Sequence, residues 1–83
     1  MVMGENLVIQ DCPPEIAYLV CNKFPTCKFY AKAGWLTAPP WEELDWLQIK
    51  FYLESLVAEN TMPENNQRLE LIIHEVSDSM SQY

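Results

Sequence analysis

The sequence predicts an all-α or mainly α fold: a small three- to four-helix bundle with a C-terminal antiparallel helical hairpin. Three observations carry that expectation. Residues 41–59, WEELDWLQIKFYLESLVAE, place apolar side chains at helical spacing in two rows, Trp46, Ile49, Leu53 and Leu56 in one and Leu44, Leu47, Phe51 and Ala58 in the other. Residues 63–79 repeat the pattern with Leu69, Ile72, Ile73 and Val76. The chain of 83 residues holds only two glycines, too few for a many-turned all-β fold.

Each element follows in order, within one domain spanning 1–83. Residues 1–12 form an N-terminal arm in which 6–10 suit a short strand or extended segment. Residues 13–24 form a helix opened by Pro13 and Pro14, since the first helical N–H groups lack intrahelical partners anyway. Glu15 suits the positive end of its dipole, Ile16, Leu19, Val20 and Phe24 share a side, and Pro25 ends it. Residues 26–36 are a short helix or a strand followed by a loop. Thr26 as N-cap and Gly34 as the residue past the C-terminus favour the helix, whereas the alternation of Lys28, Tyr30 and Lys32 with Phe29, Ala31 and Ala33 suits the strand. The helix is preferred. A central helix then runs over 38–59, with Glu42, Glu43 and Asp45 crowded into its first turns as the dipole favours. Asn60 to Pro63 breaks it, Thr61-x-x-Glu64 matches a capping box, and so short a break implies that 63–79 returns antiparallel.

The net charge of −7 is unevenly spread. Up to residue 37 three acids balance Lys23, Lys28 and Lys32, and residues 38–83 set nine acids against Lys50 and Arg68. Nucleic-acid affinity rests on cationic neutralisation of phosphates, so direct nucleic-acid binding is not expected. The N-terminus lacks a basic region followed by a long apolar one, and no apolar run approaches the ~18–20 residues that span a bilayer, so neither a secretory signal nor a membrane segment is expected. Three cysteines is an odd count for a disulfide scaffold; a reducing, cytoplasmic compartment is the simplest expectation.

Those cysteines, Cys12, Cys21 and Cys27, read C-x8-C-x5-C, which resembles the start of a zinc finger of the three-cysteine, one-histidine class. The resemblance covers 16 residues and implies a zinc site completed by a histidine four residues after the last cysteine. Ala31 holds that position here, and the intervening PPEIAYLV reads as a helix where such fingers use irregular loops. A structural zinc needs four good ligands, so the cysteines read as small buried hydrophobes, with no metal and no cofactor. His74, the only histidine, falls off the apolar stripe of its helix, and no Ser/His/Asp set or glycine-rich phosphate loop accompanies it. The chain is therefore not expected to be an enzyme.

The aromatic residues carry the positive expectation. Trp35, Trp41 and Trp46 fall within twelve residues, and tryptophan is favoured at interface hot spots. A helix over 13–24 reaches about 17 Å and the central helix about 28 Å, so part of the second apolar row is left without cover. That remainder is expected at the start of the central helix, as a patch of Trp35, Trp41 and Leu44 rimmed by Glu42, Glu43 and Asp45. The function expected is a small acidic adaptor, regulator or assembly chaperone that binds another protein, or itself as a homodimer. An acidic mimic of nucleic acid, occupying a basic groove, is the alternative; a zinc- or redox-linked protein is the third.

Overall fold

The computed structural model describes residues 5–81. Residues 1–4 of the expected arm lie outside the described residues. The elements run β1 (Leu7–Ile9), α1 (Pro14–Lys23), β2 (Lys28–Tyr30), β3 (Trp35–Ala38), α2 (Trp46–Ala58) and α3 (Asn66–Met80), with a 3-10 turn at Pro63–Asn65. A boundary between Asp45 and Trp46 divides the chain into two compact units, the first carrying the sheet and α1, the second α2 and α3.

This is an α+β fold, and it corrects the all-α bundle that helical periodicity predicts. The preferred short helix within 26–36 is instead β2, a turn and the start of β3, and the helix expected from 38 begins only at Trp46. Proline supplies one reason. The residue before a proline is pushed out of α geometry, and Ala38 and Pro39 each precede one, so Ala38 closes a strand where a helix was expected to open. Gly34 supplies another. Its φ of +74° suits a helix terminus and a hairpin turn alike, and here it closes the turn between β2 and β3, with its N–H donating to the Tyr30 carbonyl at 2.8 Å.

In the first unit β3 is the middle strand, antiparallel to both neighbours in the order β1-β3-β2. Leu7, Val8 and Ile9 face Ala38, Thr37 and Leu36, while Lys28, Phe29 and Tyr30 face Thr37, Leu36 and Trp35. Alternation puts Leu7, Ile9, Leu36 and Ala38 inside, all buried. Helix α1 contributes the buried Ile16, Ala17 and Val20 and packs on β2, where the Tyr18 and Phe29 rings meet edge to face at 5.9 Å. Pro13 stands at its N-cap in extended geometry, and its carbonyl accepts the Ala17 N–H at 3.0 Å. Continuing the β1/β3 register would set residue 11 against Gly34, but the Cys12 N–H reaches the Gly34 carbonyl, at 2.9 Å. The strand thus carries one extra residue, taken up by Asp11 in the left-handed region at φ 56°.

The second unit is a helical hairpin. Trp46, Ile49, Leu53 and Leu56 on α2, and Leu69, Ile72 and Val76 on α3, are buried at spacings of three and four residues. Ile73 is only half-buried, and Phe51, on the second apolar row of α2, is 59% exposed. Helix α2 ends in paired bonds that satisfy its last carbonyls, Asn60 N–H to Val57 and Thr61 N–H to Leu56, both 3.0 Å. Asn60 holds the left-handed φ of 54° that such an ending demands.

Two stability measurements check these assignments. Gly34→Ala should cost about 1–2 kcal/mol in urea unfolding, and Gly34→Asn less, because the penalty is the left-handed backbone. The added Cβ would meet nothing closer than the Asp11 Cα at 3.8 Å, an ordinary contact, so an equal cost for both variants would contradict this account. Leu53→Ala, at a site with 0% exposure, should cost about 2–5 kcal/mol through lost transfer energy and a cavity.

Candidate functional site

Residues directly opposite one another in an antiparallel sheet share a face. The register therefore assigns Val8, Lys28, Tyr30, Trp35 and Thr37 together to the face of the sheet turned away from its buried side. Three of these are large and open to solvent: Val8 is 43% exposed, Tyr30 51% and Trp35 44%. Tyr30 and Trp35 are direct cross-strand partners, an arrangement that brings two aromatic side chains within reach of each other. On this face the Thr37 hydroxyl donates to the Lys28 carbonyl at 3.4 Å. A shallow groove of about 400 Å³ runs from Asn6, Lys28 and Tyr30 across Thr37 to Pro40 and Glu43.

The six residues expected to form one patch are divided by this geometry. Trp35 opens β3 and lies on the open face, while Glu43 reaches the same face from beyond the other end of the strand. Trp41, Glu42, Leu44 and Asp45 belong to the 41–45 segment, held by the Glu43 and Leu44 N–H groups donating to the Pro40 carbonyl at 2.8 and 3.1 Å. Glu42 is exposed there, and Trp41, Leu44 and Asp45 are half-buried. From Trp35 to Ala38 the strand spans roughly 10 Å, which separates Trp35 from that turn. Tyr30, next to Trp35 and lining the groove with Glu43, was missing from the sequence expectation, as was Val8. The alternation of 28–33 is the signal that finds Tyr30, once it is read as a strand.

Cys12 and Cys27 are buried, Cys21 is half-buried, and none of the three is bridged in a disulfide. Burial pushes the Cys27 thiol up to about 11, with the nearby Cys21 adding to the shift, and burial raises Cys21 as well. The thiolate is the nucleophile and the metal ligand, so a raised pKa suppresses both chemistries near neutral pH. Among the described residues no group of three or more His, Cys, Asp or Glu side chains is placed to hold a metal ion. Among the same residues no helix is long and apolar enough to cross a membrane. Comparison of the chain with known protein families, with curated proteins and with solved structures finds no match.

Alkylation of the native protein measures this thiol order. At pH 8, iodoacetamide should label half-buried Cys21 ahead of Cys27, and labelling of Cys27 should climb only as the pH approaches about 11. Mass spectrometry of the digested protein reads the order directly, and Cys27 labelled first would contradict the assignment.

Proposed function

We propose that this protein is a non-enzymatic interaction module that binds another protein through the open face of its sheet. The observation that carries this reading is the Tyr30–Trp35 pair, two register partners at 51% and 44% exposure on a face that also presents Val8. Tyrosine and tryptophan bring large contact area at small conformational-entropy cost, which suits them to anchor an interface. The partner docks on the face rather than adding a strand to an edge, because β1 and β2 are three residues each and offer few unpaired backbone groups. A protein partner is favoured over nucleic acid by the net charge of −7, against which the strand pairs of the described residues put one cation, Lys28, on the face. The raised thiols of Cys21 and Cys27 argue for binding over catalysis, and three cysteines outside disulfides suit a reducing, cytoplasmic compartment.

Substitution on the face tests the reading. Proteins retained from the native host by the immobilised wild-type chain should be lost, or bound more weakly by more than about 2 kcal/mol, with Trp35→Ala and again with Tyr30→Ala. Thermal stability of both variants should stay close to wild type, because neither side chain is buried. Self-association tested with the same variants identifies a second copy as the partner. A retained set unaffected by either substitution overturns the proposal.

A further inference from the structure

The second unit carries a separate groove, of different chemistry, between its two helices. Val57 and Ala58 from α2 and Ile73 from α3 supply its apolar surface, while Glu54, Glu70 and His74 stand beside them, in a space of about 450 Å³. Glu54 and Glu70 come from different helices, so a carboxylate borders the groove from each side. Phe51, 59% exposed, precedes Ala58 by seven residues and therefore continues the apolar stripe one helical repeat along α2. From Phe51 to Ala58 the stripe extends about 10 Å, two turns of helix.

The geometry points to this groove as the docking site of one basic amphipathic helix from a partner protein, its leucine or phenylalanine stripe on Phe51, Ala58 and Ile73 and its lysines or arginines toward Glu54 and Glu70. A groove between two packed helices takes a third helix lying along it, with anchors recurring at i, i+3, i+4 and i+7. The two turns from Phe51 to Ala58 match the i to i+7 span of such a stripe. Charge selects the sign of the occupant. Residues from Trp46 onward carry six acids against Lys50 and Arg68, and the two acids at the groove favour cationic flanks. Lys50, one turn before Glu54, is the cation closest to the groove along α2 and does not line it. The same charge disfavours a second copy of this chain, whose isologous interface would set Glu54 and Glu70 against their own duplicates. This inference is independent of the sheet-face reading.

Two synthetic helical peptides of equal length and equal leucine stripe, one flanked by arginine and the other by glutamate, test it by fluorescence anisotropy on the full chain. The arginine peptide should bind at least about 10-fold more tightly than the glutamate peptide, and more weakly as salt rises. Charge reversal with Glu54→Lys and Glu70→Lys together should invert the preference. Ala58→Arg, at an exposed helical position that accepts a good helix former, should weaken the arginine peptide by about 10-fold while circular dichroism stays unchanged. Trp35→Ala should leave both affinities as they were. Equal affinity for the two peptides, no binding of either, or binding indifferent to the reversal of Glu54 and Glu70 overturns the inference. Arginine-peptide binding lost in Trp35→Ala and kept in Ala58→Arg overturns it too, and assigns the peptide to the sheet face.

Discussion

The first unit depends on β3 being hydrogen-bonded along both edges. β1 and β2 pair only with β3 and not with each other, so every backbone bond of the sheet passes through the four residues Trp35–Ala38. Two strands alone are marginal in water, and β3 with either neighbour alone would be such a pair. The third strand, together with the buried residues of α1, is what makes so short a sheet persist. The prolines set the limit of that pairing. The ladder stops where Ala38 meets Leu7, and Pro39 follows, a residue without an N–H that belongs at the end of a strand. The strand's alternation then divides its side chains, Leu36 and Ala38 inward, Trp35 and Thr37 outward.

The sequence made the second unit legible because both its helices are long enough for the period of 3.6 to be counted. Of the eight positions that the spacing selects for the seam, Trp46, Ile49, Leu53, Leu56, Leu69, Ile72 and Val76 are buried, and Ile73 is half-buried. The strands were harder to read because they have three or four residues, too few to distinguish alternation from a helix turn. The start of α2 was misplaced for a different reason. Apolar periodicity between residues 41 and 45 outweighed two local signals: the doubled proline, and the pattern Asp45-x-x-Gln48, which places a favoured capping residue just before Trp46 with a glutamine three positions on. Gly34, expected just past a helix C-terminus, lies in the turn between two strands, because one left-handed glycine geometry serves both.

That error also explains why the expected patch divided. On one continuous helix from residue 38, Trp41 and Leu44 would share a face beside the loop residue Trp35. With β3 in that place, Trp35 and the 41–45 segment fall at opposite ends of a strand, and the neighbour Trp35 acquires is Tyr30, from the strand beside it. The cysteine spacing shows the same limit of linear patterns. Cys12, Cys21 and Cys27 fall in three different local settings: the bulge after β1, the body of α1 and the turn before β2. Burial raises the thiol pKa of Cys21 and of Cys27 in their separate settings.

On the two proposals above, the sheet face and the groove of the second unit would select different partners. Around Tyr30 and Trp35 the polar neighbours are Thr37, Lys28 and, along the groove, Asn6 and Glu43, one charge of each sign, so affinity there would come mainly from aromatic area. Around Val57, Ala58 and Ile73 they are Glu54, Glu70 and His74, so the sign of the partner would matter more there. Exposed ion pairs add about 0.2–1 kcal/mol each, too little to hold a complex by themselves but enough to choose between helices of equal apolar content. A net charge of −7 strengthens that choice at long range, by speeding encounter with cationic segments and slowing it with acidic ones, this chain included. On these proposals the acidity concentrated after residue 38 would act on specificity more than on strength, and most where carboxylates border an apolar groove.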